Sequence, residues 1–185
     1  RKINDMNRRW FDGHGTVNAV DQQVEALKPL VGLADACIDL HCHEYLYSCM
    51  ALTDMASPES AEFALAMGFE VVRSGNGSEG MFGPYVRETL GKIGVTVEMP
   101  PLRRVDHAHS AIGFRGVLNA LKSMGMLEGM PELPKQTAVF GTGPQKSSGV
   151  EAECEGFMSR YVEGGDHVKA GQLVAEIWGP DDFSV

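Results

Sequence analysis

Ala36-Cys37-Ile38-Asp39-Leu40-His41 is a short apolar run ending in a histidine, and it decides how the surrounding chain is read. Six residues of this kind have the length of a buried strand rather than a helix. Upstream, Val20, Val24, Leu27 and Val31 recur with the spacing of one helical face across residues 16–34, with Pro29 expected to kink or shorten that helix. Downstream, Ser57-Pro58 reads as an N-cap followed by proline at the first helical position, and the helix runs through Phe63 and Leu65 to a stop at Gly68. Phe69–Val72 is the next strand. A glycine-rich loop from Ser74 to Gly80 leads to a helix near Pro84 carrying Val86, Leu90 and Ile93 on one side. Val95–Glu98 is a third strand, closed by Pro100-Pro101, and a helix over 107–126 is expected to bury Phe114, Val117, Leu118 and Leu121.

This alternation predicts an α/β layer with crossover connections and a largely parallel sheet. After Gly129-Met130-Pro131 the pattern changes to short β-like runs at Thr137–Phe140, Val150–Glu155, Phe157–Val162 and Leu173–Trp178, separated by glycines. The expected organisation is therefore an α/β domain over 1–131 and a small all-β domain over 132–185.

The chain has 185 residues, with 25 acids against 16 bases and a net charge of −9. That balance argues against nucleic acid or an anionic membrane as the main partner. Six of those negative charges belong to the last 36 residues, read as a solvated face of the β module. No apolar run approaches the ~20 residues that span a bilayer. Cys37, Cys42, Cys49 and Cys154 form no C-x-x-C pair, so reduced thiols and a cytoplasmic location are the expectation.

Three groups could carry chemistry. In Asp5-Met6-Asn7-Arg8 an arginine can fork two N–H donors onto a carboxylate, with the asparagine amide completing the grip; the same residues also read as a charged loop before a helix. His41 ends a strand at the carboxyl edge of the sheet, where open α/β folds bind ligands, and an imidazole there suits a metal. Glu98 ends a later strand at the same edge, placed either as a general base or as an exposed strand-end acid.

Other groups read more plainly. His41 and Glu44 spell H-x-x-E, but an extended segment points them to opposite faces, so they share a metal only if the chain turns sharply. His107 and His109 at a helix start, and His14 and His167 beside glycines, read as surface residues. Cys42 has no evident base and acid partner for a nucleophile. The loop from Ser74 to Gly80 matches neither phosphate-binding glycine pattern.

In order, D-x-N-R-x-W, a helix, I-D-L-H ending a strand, T-V-E ending a later strand, and a β module resemble the succinylglutamate desuccinylase/aspartoacylase family from about Ile3 onward. The resemblance implies a zinc-carboxypeptidase-like mixed sheet with flanking helices, and a Zn²⁺-dependent deacylase acting on an N-acyl amino acid. By it, Asn7 and Arg8 grip the substrate carboxylate, His41 is a zinc ligand, and Glu98 takes the proton of the attacking water and passes it to the leaving amine. Tyr85 and Arg87 enter as further substrate contacts, and Asp5 orients the loop.

The family draws two more zinc ligands from an H-x-x-E motif before D-x-N-R, and its oxyanion-stabilising arginine from the same region. Only four residues precede Asp5 here, and Phe11-Asp12-Gly13 stands in place of Phe-Pro-Gly after a one-residue insertion. The chain is thus expected to be the C-terminal part of a longer enzyme.

Residues 162–177 resemble the turn-and-strand run of barrel-sandwich hybrid domains, without the lysine that biotinyl and lipoyl carriers display. This points to an accessory barrel-sandwich-type β domain. An acetyl-diaminobutyrate-type deacetylase is the specific form of the expectation. The alternatives are a non-catalytic binding or assembly module whose β tail joins copies into a homo-oligomer, and a peptide metallocarboxypeptidase with the same core.

Overall fold

The computed structural model describes residues 5–11, 18–42, 48–75, 77–78, 80–101, 105–141 and 151–179. A mixed five-stranded sheet lies between two helical layers. Its strands are β1 (Ala36–His41), β2 (Met50–Thr53), β3 (Val71–Ser74), β4 (Ile93–Glu98) and β5 (Ala138–Phe140), in the order β1-β4-β2-β3-β5. β1 runs parallel to β4, β2 and β5 run parallel to β3, and β2 runs antiparallel to β4.

The sequence pattern predicts three strands here, and two more complete the sheet. Met50-Ala51-Leu52-Thr53 is a strand although alanine, methionine and leucine favour helix, because β4 and β3 pair with it on both sides. Ala138–Phe140, expected among the C-terminal β runs, pairs instead with β3, so the first sheet reaches past the boundary expected near residue 132.

Strand alternation sorts the two faces of the sheet. Ile38, Val95 and Val97 join a core with Phe63, Met67, Phe69 and Ala120, beneath α2 (Pro58–Ala66) and α4 (His107–Ser123). Cys37 faces the other way, towards α1 (Ala19–Leu33) and α3 (Phe82–Pro84), which continues as a π turn over Tyr85–Thr89. There Trp10, Val24, Tyr85 and Val86 form a second buried cluster, with the Trp10 and Phe82 ring centroids 4.6 Å apart. Pro29 lies within α1, which runs on to Leu33. Ile93, expected on the helix after Pro84, instead opens β4.

The packing of α4 differs from its predicted apolar face. Phe114 is 67% exposed, and the buried positions are Gly113, Gly116, Asn119 and Ala120. Glycine is needed there: a Cβ on Gly116 would lie 2.6 Å from the Phe69 ring, so the helix reaches the sheet only by presenting bare backbone. Asn119 then fixes the chain that leaves α4. Its amide donates to Met67 O and Glu132 O at 3.1 and 3.0 Å and accepts from Glu132 N at 2.9 Å.

The described C-terminal residues form a two-stranded antiparallel sheet, β6 (Phe157–Arg160) with β7 (Ala175–Trp178). The predicted strand at Val150–Glu155 is absent over the described residues 151–155. Between β6 and β7, Gly165 and Gly171 take the left-handed backbone their turns require, with φ of +102° and +80°.

Candidate active site

Parallel pairing of β1 with β4 sets the register of the site. His41 is the partner of Glu98, so the last residues of both strands stand side by side at one sheet edge. Both side chains lie on the face that α1 and α3 cover, because they alternate with Ile38 and Val97 on the opposite face. Asp39 shares that face, two residues before His41.

The N-terminal segment closes over this edge. Met6–Arg8 is a single 3₁₀ turn capped by Asp5, whose carboxylate accepts from Asn7 N at 3.0 Å. Three contacts tie the segment down. Trp10 is buried among Phe82 and Tyr85, Trp10 N donates to Gly80 O at 3.1 Å, and Arg9 makes a two-point ion pair with the buried carboxylate of Asp21 at 2.5 and 2.9 Å. Asp21 also caps α1 reciprocally with Asn18. Gly80, at φ +85°, lies against the backbone of Arg8 so closely that a Cβ would collide with Arg8 O.

Held in this way, Asn7 reaches the strand ends. Its Oδ1 accepts from Phe82 N at 2.7 Å, and its Nδ2 stands 3.1 Å from His41 Nε2 and 3.5 Å from Asp39 Oδ2. His41 Nε2 lies 2.9 Å from Asp39 Oδ2, and its Nδ1 faces Glu98 Oε1 at 3.8 Å. The hydrogen bond the ring donates to Asp39, with the nearby Glu98 and Asp5 charges, raises the imidazole pKa above its ordinary value despite partial burial. Arg8 folds its guanidinium back to donate to Asn7 O at 2.5 Å.

As a donor set, one imidazole flanked by carboxylates suits a single corner of a zinc site, which needs three protein ligands. Among the described residues no group of three or more His, Cys, Asp or Glu side chains is arranged to hold a metal ion. Glu44, the partner of His41 in the H-x-x-E spacing, lies outside the described residues, as do His43, Asp12, Gly13 and His14.

No family model matches the chain. Over 101 residues it is 31% identical to the N-alpha-acetyl-L-2,4-diaminobutyric acid deacetylase of Halomonas elongata, covering 55% of this chain and 29% of that protein. The apo structure of the ectoine utilization protein EutE (DoeB) from Ruegeria pomeroyi matches with a TM-score of 0.77 at 25% identity, over 96% of this chain and 59% of that one. A succinylglutamate desuccinylase/aspartoacylase from Rhodobacter sphaeroides matches with a TM-score of 0.74 at 24% identity, over 94% and 54% of the two chains. The fold is that of the succinylglutamate desuccinylase/aspartoacylase proteins. This chain spans under a third of the curated deacetylase and between 54 and 59% of these two structures.

Within this desuccinylase/aspartoacylase-like sheet, Asn7, His41 and Glu98 come together from three distant parts of the sequence, with Arg8 adjoining through Asn7. The other two expected substrate contacts sit elsewhere. Tyr85 is buried in the aromatic cluster with Trp10 and Phe11, where it supports the N-terminal segment from beneath. Arg87 donates to Gly94 O at 3.0 Å, four residues before Glu98 and so roughly 13 Å back along β4 at strand rise. Asp39 is the residue that sequence reasoning missed. The signal was there in D-x-H, since period-two spacing on a strand puts both side chains on one face. No described helix is long and apolar enough to cross a membrane.

Proposed function

We propose that this chain carries the base, one metal ligand and the carboxylate grip of a zinc-dependent deacylase that hydrolyses the amide of an N-acyl amino acid. The observation that carries this reading is the in-register pair of His41 and Glu98, with Asn7 brought against it from 34 residues away. When bound, zinc would lower the pKa of a water and polarise the amide carbonyl. His41 supplies one ligand, and the remaining ligands come from outside the described residues.

Glu98, beside the ring of His41, takes the proton of the attacking water and delivers it to the departing amine. Arg8 and Asn7 bind the carboxylate of the amino-acid portion, the arginine as a fork and the asparagine as an orienting amide. The likeness to the Halomonas N-alpha-acetyl-L-2,4-diaminobutyric acid deacetylase favours an N-acetylated diaminobutyrate as substrate.

The test is metal analysis and turnover of the protein encoded by the complete open reading frame. About one zinc per chain is expected. Glu98→Gln should keep that zinc and lose turnover of N-acetyl-diaminobutyrate by ~10²-fold or more. Absence of zinc, or a Gln variant as active as the parent, would overturn the proposal.

A further inference from the structure

His41 has two ring nitrogens with different neighbours, and in the neutral ring the carboxylate in hydrogen-bond reach decides which of them carries the hydrogen. On one side, Nε2 lies 2.9 Å from Asp39 Oδ2. A carboxylate oxygen accepts and does not donate, so this contact is a hydrogen bond only if Nε2 carries the hydrogen. On the other side, Nδ1 faces Glu98 Oε1 at 3.8 Å, beyond hydrogen-bond reach. The neighbouring amide of Asn7 could in principle select the opposite state by donating to a bare Nε2 at 3.1 Å. That choice would turn the Nε2 lone pair towards a carboxylate 2.9 Å away, a repulsive contact. With the hydrogen on Nε2, Asn7 Nδ2 directs its own donor at the same Asp39 oxygen, 3.5 Å distant.

We infer that Asp39 is a positioning residue: it holds the ring of His41 with the hydrogen on Nε2, leaving the Nδ1 lone pair aimed at the Glu98 side of the sheet edge. One carboxylate therefore organises two others' work, orienting the histidine directly and giving the Asn7 amide a second anchor besides Phe82 N. Strand geometry makes this economical. Asp39 and His41 are two residues apart on β1, so the backbone that ends at the site also carries its orienting group. The inference deepens the proposed hydrolase reading, in which Nδ1 is the nitrogen left to a metal. Carboxylate partners of ligating histidines fix the tautomer and raise ligand basicity in this way.

The hydrogen's position is read directly by long-range ¹H–¹⁵N correlation of the His41 ring in the 185-residue chain without metal, at a pH where the ring is neutral. The assignment comes from loss of the signal in His41→Gln. A hydrogen-bearing Nε2 and a bare Nδ1 are expected in the parent chain. Asp39→Asn, which can turn its amide donor to the ring, should convert His41 to the opposite tautomer or to a mixture. Asp39→Glu should retain the parent pattern at least in part. A parent chain with the hydrogen on Nδ1 overturns the inference whatever the variants do, and so does a folded Asp39→Asn chain with an unchanged ring. Because no metal is present, either failure leaves the zinc reading to its own test, and lack of zinc in the product of the complete open reading frame leaves the tautomer assignment standing.

Discussion

The five-stranded sheet and the β6–β7 ladder are built from strands of similar length, three to six residues in one and four in the other, but they are covered very differently. The sheet has a helical layer and a buried cluster on each face. In the described C-terminal stretch, 151–179, no residue is buried, and Phe157 and Met158 are 60 and 63% exposed. Hydrogen-bonded pairing is common to both, so pairing alone does not decide which region is stable. Burial does, since an isolated two-stranded ladder is marginal in water.

The largest expected effect comes from removing what only the sheet has. Phe69→Ala, at a fully buried position against Gly116, should cost about 3–5 kcal/mol in urea unfolding, whereas Phe157→Ala on β6 should stay within about 0.5 kcal/mol. Equal losses would abolish the contrast. Next, Asn119→Ala strands the backbone of Glu132 and should cost about 1–3 kcal/mol by the same measurement. Native-state hydrogen exchange should then separate the regions without mutation, with amides of β4 protected and those of β6 and β7 exchanging far sooner.

Smaller effects sharpen the same contrast through titration. Burial pushes the Cys49 thiol up to about 11, so at pH 8 it should resist alkylation while exposed Cys154 and Cys42 react at once. The native state keeps the Cys49 proton over a range where the unfolded chain loses it. That contribution is therefore present below the ordinary thiol range and fades as pH rises towards 11. Asp106 runs the other way. Its carboxylate caps α4, accepting from His109 N, which holds its pKa below the ordinary carboxylate value. Its contribution is present above that ordinary value and is lost as pH falls through the lowered one. Asp106→Ala should accordingly flatten the acid limb of a melting-temperature profile.

What could be read in advance follows the same physics. His41 and Glu98 were legible as one edge because each ends a β-branched or apolar run, and parallel strands bring such ends together. The alternation of helices and strands was equally plain. β2 was hidden because Met50, Ala51 and Leu52 have no strand preference of their own, and neighbours on both sides impose the conformation. The buried face of α4 was hidden because apolar periodicity counts large side chains, and this helix packs through glycines while Phe114 points to water. Tyr85 was assigned by proximity in sequence to Glu98, but its ring belongs to the packing beneath Trp10. Asp39 was concealed inside an apolar run, where a strand reading treats every residue as core.

Gly80 gives the site a dependence that no inventory of its functional groups would include. It contributes no side chain, yet the segment bearing Asn7 and Arg8 can lie down only because position 80 is empty beyond the backbone. In a screen of random variants, any substitution there should score with the loss-of-function class of Asn7 rather than with tolerant loop positions. The coding sequence thus has a second address for the same site, 72 residues away from the arginine it accommodates.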